Sequence, residues 1–138
     1  MLDEKLKIFF TVLQNGFADG RIQDIAVFFV FPLVVYTPVG VTLIRNTQEF
    51  GVMTSQYRDA IAAMKVAKTN IQVKDIDQTC NHRLRATVRF TPMDTEGRVL
   101  TSSLIRYFLM ENGESFLVEM IEYLELPIPV SEVERIVH

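Results

Sequence analysis

The chain has 138 residues, a formal net charge of −3 and an apolar share of 49%. That length suits one domain with its own core, and so apolar a composition excludes extended disorder. The mildly acidic balance argues against a nucleic-acid surface, which needs a basic excess.

The single cysteine, Cys80, excludes an intrachain disulfide and fits a reducing, cytoplasmic setting. Asp3 and Glu4 lead the chain and no apolar run follows a basic start, so no signal peptide is expected. The most apolar run, Ile25 to Val35, is about half a membrane span and is interrupted by Pro32. No membrane partner is expected.

Asp3 is placed to cap a first helix in which Leu6, Phe9, Phe10, Leu13 and Phe17 share one face. Gly16 and Gly20 break it, and a short second helix is expected from Arg21 to Phe28. Leu33 to Thr37 is β-branched and aromatic, hence a strand, and Val41 to Ile44 returns after the turn chemistry of Pro38-Val39-Gly40. Asn46 or Thr47 caps a third helix over 47–66, with Phe50, Met53, Tyr57, Ile61 and Met64 at helical spacing. From Lys68 onward the period changes to two. Strands are expected over 69–79, 83–92, 98–110 and 115–126, with turns at Asn81-His82, at 94–97 and at Asn112-Gly113. The fold class is therefore α+β: about six strands in one curled antiparallel sheet, covered by three helices from the N-terminal half. One domain is expected over 1–130. Residues 131–138 form a tail in which Ser131 and Glu134 resemble a capping box.

A tight turn at Asn112-Gly113 fixes a register. Leu109 then opposes Phe116, Tyr107 opposes Val118, Ile105 opposes Met120 and Ser103 opposes Glu122. These residues share a face with Leu84, Ala86, Val88 and Phe90, which is the face the helices must cover. The other face carries Arg83, Arg85, Thr87, Arg89, Leu104, Arg106, Phe108, Leu117, Glu119, Ile121 and Tyr123. Arg106 is expected across from Glu119. This mixture of arginine, tyrosine and apolar residues is a candidate homodimer interface.

Thr101, Ser103 and Glu122 are polar exceptions on the inner face. A carboxylate buried without partners is costly, so a wet or ligand-filled pocket is expected beside them, walled by Tyr36, Tyr57, Tyr107 and Met120. Glu122 is the candidate acid–base group, since an apolar cavity raises a carboxyl pKa. The alternative is a carboxylate held by Ser103, Arg45 or water for structure alone, or one that reaches solvent at the rim. Arg45 is placed near the pocket mouth, where a surface arginine and an anion ligand are both possible readings.

The element order resembles the SnoaL-like group of the nuclear transport factor 2-like superfamily. So do the strings Val34-Val35-Tyr36-Thr37-Pro38-x-Gly40, Arg45-Asn46-x-x-Glu49-Phe50 and Val118-Glu119-Met120-x-Glu122-Tyr123. The resemblance covers about residues 3–127 and implies a cone-shaped sheet, a pocket between sheet and helices, and dimers through the sheet. Family members include ketosteroid isomerases, cyclases, dehydratases, epoxide hydrolases and non-catalytic binding domains. Where the isomerases carry a catalytic Asp, this chain has Thr37, too weak an acid or base to replace it.

His82 and His138 lack ligand partners at metal spacing, Cys80 has no local base, and there is no phosphate loop. No metal or cofactor is expected. Three readings follow. The domain binds a small, largely apolar molecule; or it is an enzyme of the same fold using Glu122; or it is a dimeric interaction module without a ligand.

Overall fold

The structure, a computed structural model, describes residues 2–127. Helix α1 (Leu2–Ala18) buries Leu6, Phe9, Phe10 and Leu13, the stripe its spacing predicts. Asp3 lies inside its first turn, where the helix dipole favours an anion, rather than before it. Helix α2 (Ile22–Ala26) crosses so close that a Cβ on Gly16 would lie 2.2 Å from Ile25 Cγ2. Only a glycine allows that approach.

Strands β1 (Phe29–Thr37) and β2 (Gly40–Ile44) form a hairpin. β1 begins earlier than its β-branched run suggests because Phe29 pairs with Val118 on the last strand, a tertiary contact invisible to local pattern. Helix α3 (Thr47–Ala62) is capped by Asn46, whose side chain accepts from the Glu49 N–H at 2.9 Å. It stops short of residue 66, and Lys65 takes a left-handed φ of 59°. Strands β3 (Lys68–Cys80), β4 (Arg83–Met93), β5 (Ser103–Asn112) and β6 (Ser115–Glu125) follow. The sheet order is β2-β1-β6-β5-β4-β3, with β1 and β6 parallel and the other neighbours antiparallel. The curled, unclosed sheet packs one face against α1, whose Phe9 meets Phe116 edge-on at 5.4 Å and whose Phe10 lies 4.6 Å from Tyr107.

β5 starts at Ser103, not at 98. The Asp94 carboxylate accepts the N–H groups of Glu96 and Arg98, each at 2.9 Å, and draws that stretch into a turn. Thr101 therefore precedes the strand. The capping box expected at Ser131 lies outside the described residues.

The β4–β5 register is continuous from Arg83↔Met110 to Phe90↔Ser103. Its inner set, Leu84, Ala86, Val88, Ile105, Tyr107 and Leu109, is buried as expected. The β5–β6 register is not the expected one. Gly113 and Glu114 make the turn, because Asn112 pairs with Ser115 and Gly113 supplies the positive φ of 62°. Leu109 thus opposes Val118, a shift of pairing that preserves facing. Glu119 is then an extra residue: the next pairs are Phe108↔Met120, Tyr107↔Ile121, Arg106↔Glu122 and Ile105↔Tyr123. A bulge of this kind reverses the side chains that follow it, here from Met120 to Tyr123, until a second irregularity at Leu124 returns Glu125 to the outer face opposite Leu104. Ile121 and Tyr123 turn inward, whereas Met120 and Glu122 turn outward. The expected Arg106–Glu119 pair is replaced by Arg106–Glu122 at 2.8 Å, and Glu119 pairs with Arg83 at 3.0 Å.

Candidate functional site

A cavity of about 150 Å³ lies between the inner sheet face and helices α1 and α3. α1 contributes Phe10, Leu13, Gln14 and Phe17, and α3 contributes Phe50, Met53, Thr54 and Tyr57. The sheet contributes Leu33, Phe90, Ser103, Ile105, Tyr107, Ile121 and Tyr123. None of the described lining residues is an acid, a base or a histidine. Polarity comes from hydroxyl and amide groups alone.

Some of these groups are already engaged. The Thr54 hydroxyl donates to the Phe50 carbonyl at 2.7 Å, and Gln14 Nε2 donates to Thr69 Oγ1 at 3.5 Å. The phenols differ. Tyr57 is 5% exposed, and among the described residues its Oη is buried with no hydrogen-bond partner. Its ring lies parallel to Tyr123 with centroids 6.3 Å apart. Burial pushes the pKa of Tyr57 and of Tyr107 up. It does the same to Tyr123, with a further push from the neighbouring Tyr107 and Tyr57. All three phenols therefore stay protonated at neutral pH and offer O–H donors in an apolar setting.

Of the residues singled out from sequence, Tyr57, Ser103 and Tyr107 line this cavity and Tyr36, Thr101, Met120 and Glu122 do not. Glu122 lies on the outer face, bonded to Arg106, with its side chain 36% exposed. Tyr36 sits beside it on β1, 41% exposed. Met120 opposes Phe108 on that same outer face. The expected position of Glu122 inside the cone is therefore corrected: it does not line this cavity, whose walls carry the phenols of Tyr57, Tyr107 and Tyr123. Arg45 is held by Glu49 through contacts at 2.9 and 2.6 Å, away from this cavity.

Sequence reasoning missed Ile121 and Tyr123 as wall residues, because strict alternation carried across Glu119 assigns them outward. One signal pointed to the right answer. A register that buries Tyr123 costs less than one that buries the Glu122 carboxylate. Among the described residues no group of three or more His, Cys, Asp or Glu is placed to hold a metal ion, and no helix is long and apolar enough to cross a membrane.

No family model matches the sequence, and no curated protein matches it. Solved structures do. A cystatin-like-fold domain of unknown function from Nostoc punctiforme superposes with a TM-score of 0.67 at 14% identity, covering 98% of this chain and 83% of that one. A nuclear transport factor 2-like protein of unknown function from Shewanella oneidensis gives 0.62 at 9% identity, covering 89% of this chain and 98% of the other. A ketosteroid isomerase-like protein from Erwinia carotovora atroseptica gives 0.52 at 13% identity, covering 90% and 95% respectively. The chain has the nuclear transport factor 2-like, or cystatin-like, fold, which SnoaL-like domains share.

Proposed function

We propose that the chain binds a small, largely apolar molecule in the cavity beneath the sheet, oriented by Tyr57, Ser103 and Tyr107. The observation that carries this reading is an apolar chamber of about 150 Å³ whose described polar lining is uncharged. A dry protein cavity of about that volume accepts a benzene-sized guest, so there is room for a ring. Proton-transfer chemistry is less well supported. General acid–base catalysis needs a group that titrates near the working pH, and the cavity's phenols are pushed the other way. Thr37, at the isomerase aspartate position, instead closes the β1–β2 turn: its hydroxyl donates to the Gly40 carbonyl and accepts from the Val39 N–H, each at 3.2 Å.

Titration of the protein with ethylbenzene, followed by amide chemical shifts, tests the reading. Saturable shifts concentrated at the cavity-lining residues of β1, β4, β5, β6, α1 and α3 are expected. Absence of any saturable shift overturns it.

The outer sheet face favours a second role, homodimer formation. It exposes Tyr36, Val41 and Leu43 beside four arginine–carboxylate pairs: Arg83–Glu119, Arg85–Asp77, Arg89–Glu125 and Arg106–Glu122. Those pairs neutralise the face, so a second copy meets apolar surface without charge repulsion. Sedimentation equilibrium at micromolar concentration is expected to show a dimer that Leu43→Lys dissociates. Monomers throughout would exclude it.

A further inference from the structure

We propose that the cavity selects an uncharged molecule with a ring-sized apolar body and one hydrogen-bond-accepting oxygen, such as a ketone or ether, and that the phenols of Tyr57, Tyr107 and Tyr123 read that oxygen. This rests on the cavity-binding reading above. Tyr57 is 5% exposed and Tyr107 is 8% exposed, and both line the chamber. A buried donor left unpaired is unfavourable, as the Tyr57 Oη is here among the described residues. An acceptor oxygen carried in by the guest relieves that deficit, whereas a pure hydrocarbon does not. Ser103, 3% exposed and on the same face of β5 as Tyr107, lines the same chamber and offers a further hydroxyl. The described lining holds no counter-charge, so a carboxylate or ammonium guest would be stripped of water without compensation. Selection against charge thus follows from what the walls lack, and selection for an oxygen from what one wall leaves unsatisfied.

Three probes of similar shape separate these elements: ethylbenzene, acetophenone and benzoate. Their dissociation constants are measured for the wild type and for Tyr57→Phe, Tyr107→Phe and Tyr123→Phe. Each variant keeps its ring and is checked by near-ultraviolet circular dichroism. In the wild type, acetophenone and ethylbenzene bind and benzoate does not. The acetophenone-to-ethylbenzene affinity ratio falls about fivefold in at least one phenylalanine variant, the size of one hydrogen bond. A ratio within about twofold of wild type in all three variants overturns the assigned readers. Benzoate binding as well as acetophenone overturns the selection for neutrality. Ethylbenzene binding with acetophenone excluded overturns the selection for oxygen while the binding reading stands. If ethylbenzene also fails to bind the wild type, the binding reading itself falls.

Discussion

On the outer face of the sheet, Arg83, Arg85, Arg89 and Arg106 each sit against a carboxylate; across the cavity from the inner face, the Tyr57 hydroxyl of α3 meets no partner among the described residues. The outer groups carry full charges and are paired, yet water lies close enough to replace either partner. The inner group is neutral and unpaired, and little but apolar side chains surrounds it. The contrast shows how this domain spends its polarity. Charge is kept where solvent screens it, and the inside keeps only groups that can wait for a guest without ionising.

The largest test of that contrast removes inner bulk. Leu109 is 1% exposed, so Leu109→Ala should lower the unfolding free energy by about 2–5 kcal/mol in urea denaturation. A loss below about 1 kcal/mol would show that this face is not a packed core.

An alkaline titration comes next. Tyr57, Tyr107 and Tyr123 have native pKa values raised by burial, so the unfolded chain releases these protons first. Stability should be insensitive to these groups below pH about 10, their unfolded value, and fall as pH rises from there toward the native values. A free energy of unfolding that stays flat well above pH 10 would mean the phenols are not sequestered.

On the outer face the effect should be small. Glu122→Gln is expected to cost about 0–1 kcal/mol, since the Arg106–Glu122 pair is about a third exposed at each end. A loss above about 3 kcal/mol would place that carboxylate in a buried setting. Smallest of all, Tyr57→Phe should leave stability within about 0.5 kcal/mol of wild type or raise it slightly, because the hydroxyl it removes has no described partner. Thermal unfolding checks this.

Much of the fold was legible because its signals are local and repeat. The α1 stripe of Leu6, Phe9, Phe10 and Leu13 is helical periodicity, and the buried Leu84, Ala86, Val88 and Phe90 are strict alternation. Asn46 announced the start of α3. The site was legible only in part. Tyr57 and Tyr107 were found because each lies on an element whose period is unbroken up to that residue. Glu122 was misplaced because the sequence does not mark the extra residue at Glu119, which reverses a facing that the turn shift to Gly113-Glu114 leaves intact. A bulge satisfies the long-range pairing of two strands, and no property of Glu119 alone signals it. The early start of β1 escaped notice for the same reason, since its partner is Val118 on β6.

The unmatched residue at Glu119 also determines how the end of β6 resists sliding. If that kink annealed into regular pairing, Ile121 and Tyr123 would swing to solvent, and the Glu122 carboxylate would enter an oily chamber with no cation to meet it. Such a slip would cost on the order of several kcal/mol. It would also break two ion pairs, Arg83–Glu119 and Arg106–Glu122. The two glutamates therefore act as a latch on strand position. Replacing both with leucine would remove most of that latch and let the strand slide between two alignments, with the cavity wall changing identity each time.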